Sequence, residues 1–543
     1  MESFIPAEFQ VSDHIPIITD QSGGEDEFDI LIIGAGSAGL STAIKIAQLD
    51  REKGLGKLRI AIIEKAAGIG NHTLSGAVIN PIAIKQLFPD IADIELPFSH
   101  PVRKESVLVL TKHKAIRLPT PPTMQNHGNY IVSLSDVLKW LAHRAEELGV
   151  MILPGFPAAG LLVRGDRVIG VRTADRGRGR EGQALPSFQP GMDIRAHVTV
   201  LADGVRGILT KTYLSWQNIT PQMPQIYAIG VKEVWEVPSS PQGIIHTMGW
   251  PLEKGSFGGS FMYPLSENLV SLGLVIGLDD PSESFDPHFL LQKMKTHPLF
   301  RKALAGGKRV EWGAKAIPEG GYYSLPSRLS GHGVIIVGDA AGFVNVPALK
   351  GVHYAMYSGI LAGQTIAAAF ERHDDSSDSL LGYDQELKTS FIVNDLYRIR
   401  NMRQAFKGGL FQGLLKAGLM YALKGWWPKA IHLPPDNAVP RKSKPIDYPK
   451  PDGKLIFSKE DSVAIAGNST RGDMPSHLSL LDDIPLEVAR FYSHLCPAGV
   501  YEINANGKLQ VNPSNCIDCM TSDILAGRWQ PREGATGARY RKM

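Results

Sequence analysis

Cysteine is nearly absent from this chain: Cys496, Cys516 and Cys519 are the only three in 543 residues. An odd count in a long chain whose start lacks a secretory pattern excludes a disulfide framework and points to a reducing compartment. Strong charge of one sign is missing too. The 57 Lys and Arg against 54 Asp and Glu leave a net +3, which excludes a nucleic-acid binder defined by overall basicity. No run of 18 uncharged apolar residues occurs, so no transmembrane helix is expected. The opening MESFIPAEFQVSDHIPIITD carries acids and has no apolar core behind a basic segment, so neither a secretory signal nor a transit peptide is expected. What is present is ordinary for a globular protein, 43% hydrophobic and 20% charged, with length for roughly three domains.

The cysteines fall in a pattern: Cys496, then Cys516-Ile517-Asp518-Cys519-Met520-Thr521-Ser522. A four-iron cluster takes four thiolates, commonly a C-x-x-C-x-x-C run plus a remote Cys, and Ser522 stands where the third Cys of the run would fall. No other thiol exists to complete the set. A fourth ligand would have to be oxygen, water or a residue of another molecule. Two readings compete: three buried cysteines acting as small apolar residues, and a zinc site in which His494 supplies a nitrogen.

Residues 28 to 64 read as strand, turn, helix and strand. Phe28 to Ile33 is a short apolar run, Gly34-Ala35-Gly36-Ser37-Ala38-Gly39 opens a helical stretch, and Arg59 to Ile63 is a second strand ending in Glu64. Gly34 permits the tight turn, Gly36 lets the backbone approach a pyrophosphate, and Gly39 allows helix to pack on strand. The helix N-terminus favours the phosphates, and Glu64 is spaced to accept from an adenosine ribose. Two further strands end similarly: Val198 to Ala202 before Asp203-Gly204, and Gly333 to Val337 before Gly338-Asp339. A carboxylate at Asp339 can bind ribityl hydroxyls, and the helix start after it can stabilise negative charge on a reduced flavin, which favours FAD over NAD.

These segments, with His72-Thr73-Leu74-Ser75-Gly76, Asn126 to Tyr130, Gly249-Trp250-Pro251-Leu252, Gly258-Gly259-Ser260-Phe261, Gly342 to Pro347, Tyr448 to Gly453 and Cys496 to Glu502, make the chain resemble the electron-transfer flavoprotein:ubiquinone oxidoreductases from about residue 28 to the C-terminus. The resemblance implies an α/β (mixed α+β) architecture in three parts. A Rossmann-like FAD-binding domain of the glutathione-reductase type comprises 28–100, 131–215 and 320–395. An inserted quinone-binding β-sheet domain comprises 101–130 and 216–319, and a ferredoxin-like iron-sulfur domain 436–543. Residues 1–27 are then an N-terminal extension. The resemblance also implies single electrons arriving from reduced electron-transfer flavoprotein and a pair leaving to ubiquinone through FAD. It implies cofactor contacts at Ser75 and Gly76, quinone contacts at Gly258 and Gly259, and a catalytic position beside the flavin at Asn345. Ser522 departs from the family, which has its fourth cluster cysteine there. The site then holds a 4Fe–4S cluster with an oxygen ligand from Ser522, Asp518 or Asp523, or a 3Fe–4S cluster, or none.

A quinone with an isoprenoid tail is taken from a bilayer, so a membrane-facing surface is expected. Residues 396–435 carry Arg398, Arg400, Arg403, Lys407, Lys416, Lys424 and Lys429 and no acid. Leu410, Phe411, Leu414, Leu415, Tyr421 and Ala422 recur there at helical spacing, with Trp426 and Trp427 behind them, as a helix lying in the head-group plane requires. A core-facing helix with a solvated basic side is the competing reading. The expected location is the cytoplasmic face of a bacterial inner membrane, ahead of a mitochondrial inner membrane. Two rival functions share the nucleotide motifs: an FAD-dependent isoprenoid reductase or hydroxylase, and a non-catalytic membrane docking protein for the electron carrier.

Overall fold

The computed structural model describes residues 9–16, 28–92, 95–98, 100–253, 255–282, 285–427, 429–442, 447–480, 484–526 and 528–543. Most of the 1–27 extension therefore lies outside the described residues. Its 9–16 segment packs on the body, with the buried His14 ring nitrogen Nδ1 3.0 Å from the Ala159 carbonyl.

Two large sheets organise the chain. The first is eight-stranded, and its parallel centre runs Val334–Ile336, Asp193–Leu201, Phe28–Ile33, Ile60–Glu64, Met151–Pro154. These strands are continuous Ile, Leu and Val runs because helices cover the parallel sheet, as Ser37–Lys53 and Val352–Glu371 do here. Ile30, Leu31, Ile32, Ile62 and Val200 are fully buried; each such side chain stabilises the fold by about 1.5–3 kcal/mol relative to exposure. All five strand ends point the same way, and ligands of such sheets bind outside the carboxyl ends.

The second sheet has seven strands in the order Lys308–Pro318, Tyr227–Glu236, Leu269–Gly277, Gly258–Ser266, Ile244–Gly249, Glu105–Leu110, Ala115–Leu118. It is antiparallel except where Ile244–Gly249 runs beside Glu105–Leu110. It joins residues 105–118 to residues 227–318 across the chain. A buried Glu233 sits in this sheet between Lys295 and Arg309 at 3.0 and 3.2 Å; burial opposes its charge, and the two cations outweigh that and hold its pKa down.

The C-terminal part is built from short pieces: helices Lys459–Ile465 and Leu486–Leu495, the hairpin Tyr501–Ile503 with Leu509–Val511, and Thr521–Leu525. The last residues return to the body of the chain, against the helix Leu134–Glu147 and the strand Lys308–Pro318. Ser135 N donates to the Met543 carbonyl, and the Arg541 and Lys542 amides donate to the carboxylate of Glu311.

Candidate functional site: a cofactor cleft and a thiol cavity on one wall

A cleft of about 410 Å³ opens at the carboxyl ends of the parallel strands. Gly34, Gly36, Glu64, Ser75, Gly76, Asp203, Gly204 and Asp339 all line it, although they come from five separate stretches of sequence. Gly39 and Gly338 lie just behind. A Cβ on Gly39 would stand 2.1 Å from the Gly34 carbonyl oxygen, and one on Gly34 (φ +107°) 2.5 Å from that of Ala202. The first turn therefore closes only with glycine at both positions. Glu64 accepts from the amides of Ala35 at 3.0 Å and Ala66 at 2.9 Å, so its carboxylate is fixed at the mouth of the turn. Asp203 accepts from the amides of Leu209 and Thr210 at 3.0 and 3.1 Å, holding the start of the Ile208–Trp216 helix while it lines the cleft.

Charge inside the cleft is of both signs, with Lys65, Arg206, Lys232, Lys315, Lys350 and Arg532 facing as many carboxylates. Lys232 is buried and donates to the Ser75 carbonyl at 3.0 Å; burial pushes its pKa down to about 7. Lys315, also a lining residue, donates to the Asp518 carbonyl at 2.9 Å and is pushed down to about 8 by burial. Burial lifts Asp339 to about 6. A glycine turn with free amides, a fixed acid at a ribose position and buried ammonium groups are what a dinucleotide with a reducible ring needs, so these residues fit FAD.

Asn345 and the Gly258-Gly259 pair do not line the cleft. Asn345 donates to the Tyr354 hydroxyl at 3.0 Å and accepts from Ala348 N at 3.0 Å, which fixes the turn whose neighbours Val344, Val346, Leu349 and Lys350 do line it. On their strand, Gly258 and Gly259 face neighbouring backbone: added Cβ atoms would stand 2.1 Å from the Val275 and 2.4 Å from the Thr247 carbonyl oxygens. Strand packing is enough to require glycine at both. Further along the same strand, Phe261 and Tyr263 reach the cleft.

Cys496, Cys516, Cys519 and Ser522 line one small cavity in the C-terminal part. All three thiols are buried, and burial raises each pKa, that of Cys496 to about 11. The buried hydroxyl of Tyr501 lies against Ser522, Cys496 and Cys516, and the buried Nε2 of His477 has no hydrogen-bond partner among the described residues. Three convergent buried thiols, a hydroxyl and an unspent imidazole nitrogen fit an iron-sulfur cluster with one oxygen ligand. His494, the nitrogen considered for zinc, instead lies 3.7 Å from Asp286. The imidazole near the thiols is His477, with one ligand atom each from His477, Cys516 and Asp518 within 4.8 Å of one another. No sequence signal marks it, since it is 39 positions from Cys516.

Met520 and Trp529 line both the cleft and the thiol cavity, forming a shared wall. Asp518 sits within it. Its carboxylate meets Lys65 Nζ at 3.0 Å, an Arg532 nitrogen at 3.0 Å and Trp529 Nε1 at 3.2 Å, and lies 3.7 Å from Cys516 Sγ. Burial alone would raise its pKa; Arg532 and Lys65, with His72 and His477 adding to them, outweigh that and hold it well below the usual carboxylate range. Asp518 is thus neutralised by one cation of the nucleotide domain, Lys65, and one of the C-terminal part, Arg532, while it also accepts from the Cys516 thiol. Asp523 is likewise held by Arg206 at 2.8 Å and Lys211 at 3.0 Å.

The helix Leu410–Ala422 exposes its apolar residues: Phe411 is 82%, Leu415 77% and Leu419 50% exposed, and Trp426 beyond it 62%. The core-facing reading does not hold for this face. Two of the expected basic residues point inward, however: Arg403 is buried in ion pairs with Glu319 and Asp279, and Arg400 is buried against Tyr397. Among the described residues no helix is long and apolar enough to cross a membrane.

Comparison with known proteins gives consistent matches. A family model described as ETF-QO, ubiquinone-binding, covers residues 227–317, and one described as electron transfer flavoprotein-ubiquinone oxidoreductase, 4Fe-4S, covers 453–541. The mitochondrial electron transfer flavoprotein-ubiquinone oxidoreductase of Arabidopsis thaliana is 40% identical over 95% of this chain and 84% of its own length. That of Homo sapiens is 39% identical over 95% and 89%, and that of Caenorhabditis elegans 39% over 96% and 93%. Among solved structures, a geranylgeranyl bacteriochlorophyll reductase-like protein from Thermoplasma acidophilum aligns with a TM-score of 0.58 at 18% identity, covering 75% of this chain and 93% of its own. Aklavinone-11 hydroxylase with FAD aligns at 0.51 and 18%, covering 70% of each. These two likenesses establish the fold alone.

Proposed function

The chain belongs to the electron transfer flavoprotein-ubiquinone oxidoreductase family, and on that premise we propose that it takes single electrons from reduced electron-transfer flavoprotein and reduces ubiquinone to ubiquinol. The observation that carries this reading is the shared wall: one chain sets a flavin-type cleft and a thiol cavity back to back across Met520 and Trp529. Bound FAD supplies a centre that accepts electrons singly and delivers two, and an iron-sulfur cluster supplies a one-electron station.

The chain's own residues take the following roles. Gly34 permits the tight turn, Gly36 lets the backbone approach the pyrophosphate, Gly39 and Gly338 allow the close packing behind them, and Glu64 holds the ribose. Ser75, Gly76, Asp203, Gly204 and Asp339 line the remainder of the cofactor. Asn345 acts as a positioning residue, since it shapes the 345–350 turn at the cleft. Gly258 and Gly259 set the close strand spacing of the quinone-binding sheet, and Cys496, Cys516, Cys519 and Ser522 hold the cluster. The domain division drawn from the sequence is supported by the seven-stranded sheet, which joins residues 105–118 to 227–318. The exposed stripe of Phe411, Leu415, Leu419 and Trp426 docks the protein on a membrane surface, read as the cytoplasmic face of a bacterial inner membrane.

The test is anaerobic turnover of purified protein with reduced electron-transfer flavoprotein and ubiquinone, in the presence of liposomes. Quinol formation that falls at least tenfold on liposomes, yet persists with a short-tailed quinone in detergent, is expected for a Phe411→Ser/Leu415→Ser variant. Rapid NAD(P)H and oxygen consumption by the parent would instead mark a hydroxylase. Carrier binding without quinol formation would mark a docking protein.

A further inference from the structure

Ubiquinone becomes ubiquinol only when each carbonyl oxygen gains a proton as the ring gains two electrons. Electrons come from the carrier, but a quinone entering from lipid brings no protons. A route from water to the cleft is therefore a chemical necessity of the proposed function, on which this inference rests.

A buried acid cluster reaches the cleft. Glu319, directly after the strand Lys308–Pro318, is 4% exposed and lines the cleft. One of its oxygens accepts from Arg403 Nε at 2.8 Å, and the same guanidinium donates to Asp279 at 2.8 Å. Arg403 also stacks 3.9 Å over the Phe257 ring, next to Gly258. Asp436, 2% exposed, accepts from Tyr227 N at 2.8 Å with one oxygen, while the other has no hydrogen-bond partner among the described residues. Gln404, whose side-chain nitrogen donates to the Gly320 carbonyl next to Glu319, has a buried side-chain oxygen without a partner among the described residues. The remaining charged neighbours are Asp280, after the strand Leu269–Gly277, and Arg441, which donates to the main-chain carbonyls of Asp280 and Asp436. Arg206 faces the Tyr227 ring at 5.8 Å and is itself paired to Asp523.

Asp279 and Glu319 are thus paired to one guanidinium, that of Arg403, and Asp436 lies within electrostatic reach of all three. Such a cluster retains protons in a low-dielectric interior. Burial pushes Asp436 up to about 8, with Asp279 adding to it, and burial raises Glu319 and Asp280 as well. With its pKa near 8, Asp436 keeps its proton at neutral pH. The cluster is also graded in access: the Asp279 side chain is 19% exposed while Glu319 and Arg403 are at 4%.

We propose that Asp279, Asp436 and Glu319, gathered around Arg403, are the proton relay of quinone reduction, with Asp279 the water-side entry, Asp436 the store and Glu319 the donor into the cleft. For each quinone, two electrons pass from the enzyme to the ring and two protons pass from the relay to the two oxygens. Two protons from water, entering at Asp279, restore it. Arg403 keeps its charge throughout and holds the carboxyl groups in place.

The holoenzyme tests this with Glu319→Gln, which keeps shape and hydrogen bonding but carries no exchangeable acid. Flavin reduction by the reduced carrier, read by absorbance, should stay within about twofold, while quinol formation falls at least tenfold. Unchanged quinol formation overturns the relay. So does an equal loss of both steps, which would make Glu319 part of cofactor binding. A second measurement stands apart from turnover and from the folding of that variant. The infrared spectrum of the parent protein should show a buried carboxylic-acid C=O band at neutral pH that disappears as pH rises through about 8 and is missing in Asp436→Asn. Absence of that band from the parent overturns the store. If the parent makes no ubiquinol at all, the functional reading fails, while the infrared band still decides whether Asp436 holds a proton.

Discussion

The nucleotide cleft and the thiol cavity share a wall, yet they are built by opposite means. The cleft is made of backbone: Gly34, Gly36 and Gly39 shape it by having no side chain, and a single Cβ at Gly39 would meet a carbonyl at 2.1 Å. The thiol cavity is made of side chains, with Cys496, Cys516, Cys519 and Ser522 projecting inward from short segments that have little regular structure. A site shaped by backbone tolerates almost no change at its glycines and much change around them. A site shaped by side chains keeps its form when one ligand is exchanged, and only its chemistry shifts. Ser522 is that case: the pocket closes around a hydroxyl as it would around a thiol.

The largest effect is expected where the backbone site is struck. Gly39→Val drives two further methyl groups into a turn that has no room for a first carbon, so the first turn must open. A loss of about 3 kcal/mol or more is expected, with purified protein nearly free of flavin absorbance and the iron content per folded chain unchanged. Flavin content equal to the parent would show that the turn yields more easily than its contacts suggest.

A smaller effect is expected at the wall. Asp518→Asn leaves Arg532 and Lys65 facing a neutral amide in a buried place, and breaking one side of a buried ion pair costs about 3–5 kcal/mol. Lys65 is partly exposed and can turn to water, which puts the expected loss at the lower end of that range. It should appear as a lower thermal midpoint at pH 7. The gap should close in strong acid, because a carboxyl held well below its usual pKa stabilises the fold above the unfolded value and loses that contribution only as pH falls through the folded one. A gap that persists unchanged below pH 3 would assign the loss to packing.

The smallest effect on the fold, and the sharpest on the chemistry, is expected for Ser522→Cys. Thermal stability of the iron-free protein should move by less than about 0.5 kcal/mol. Iron and acid-labile sulfide should rise toward four each per chain, with slower loss to a chelator. Equal cluster content and lability in parent and variant would show that the hydroxyl serves as well as a thiol.

The sequence shows the cleft far more fully than the wall. Its glycine turn, two flanking strands and Glu64 lie within 37 residues, and local spacing is enough to read them. The α/β class was legible through the family resemblance, and the grouping of Cys516, Cys519 and Ser522 through their spacing. Asp518 was not: between two cysteines it looks like a spare oxygen ligand, and only the fold brings Lys65, 453 positions away, to neutralise it. Arg403 misled in the same way. In an acid-free basic stretch it reads as lipid-facing, but its partners Glu319 and Asp279 arrive from other strands. Asn345 was read as flavin-facing, and its amide is spent on Tyr354 and the turn. Composition near a residue tells little about which charges are buried beside it, because burial is decided by distant segments.

The wall has a consequence for how such a chain can change over time. Met520, Trp529, Arg532 and Thr536 from the C-terminal part are panels of the flavin cleft. Deleting that part would leave the cleft with one side open to water, exposing the very space where a reduced ring must be shielded. The cluster-bearing segment is therefore not a detachable module. Losing iron one ligand at a time, as the serine at 522 would permit, leaves those panels in place, whereas losing the segment removes them.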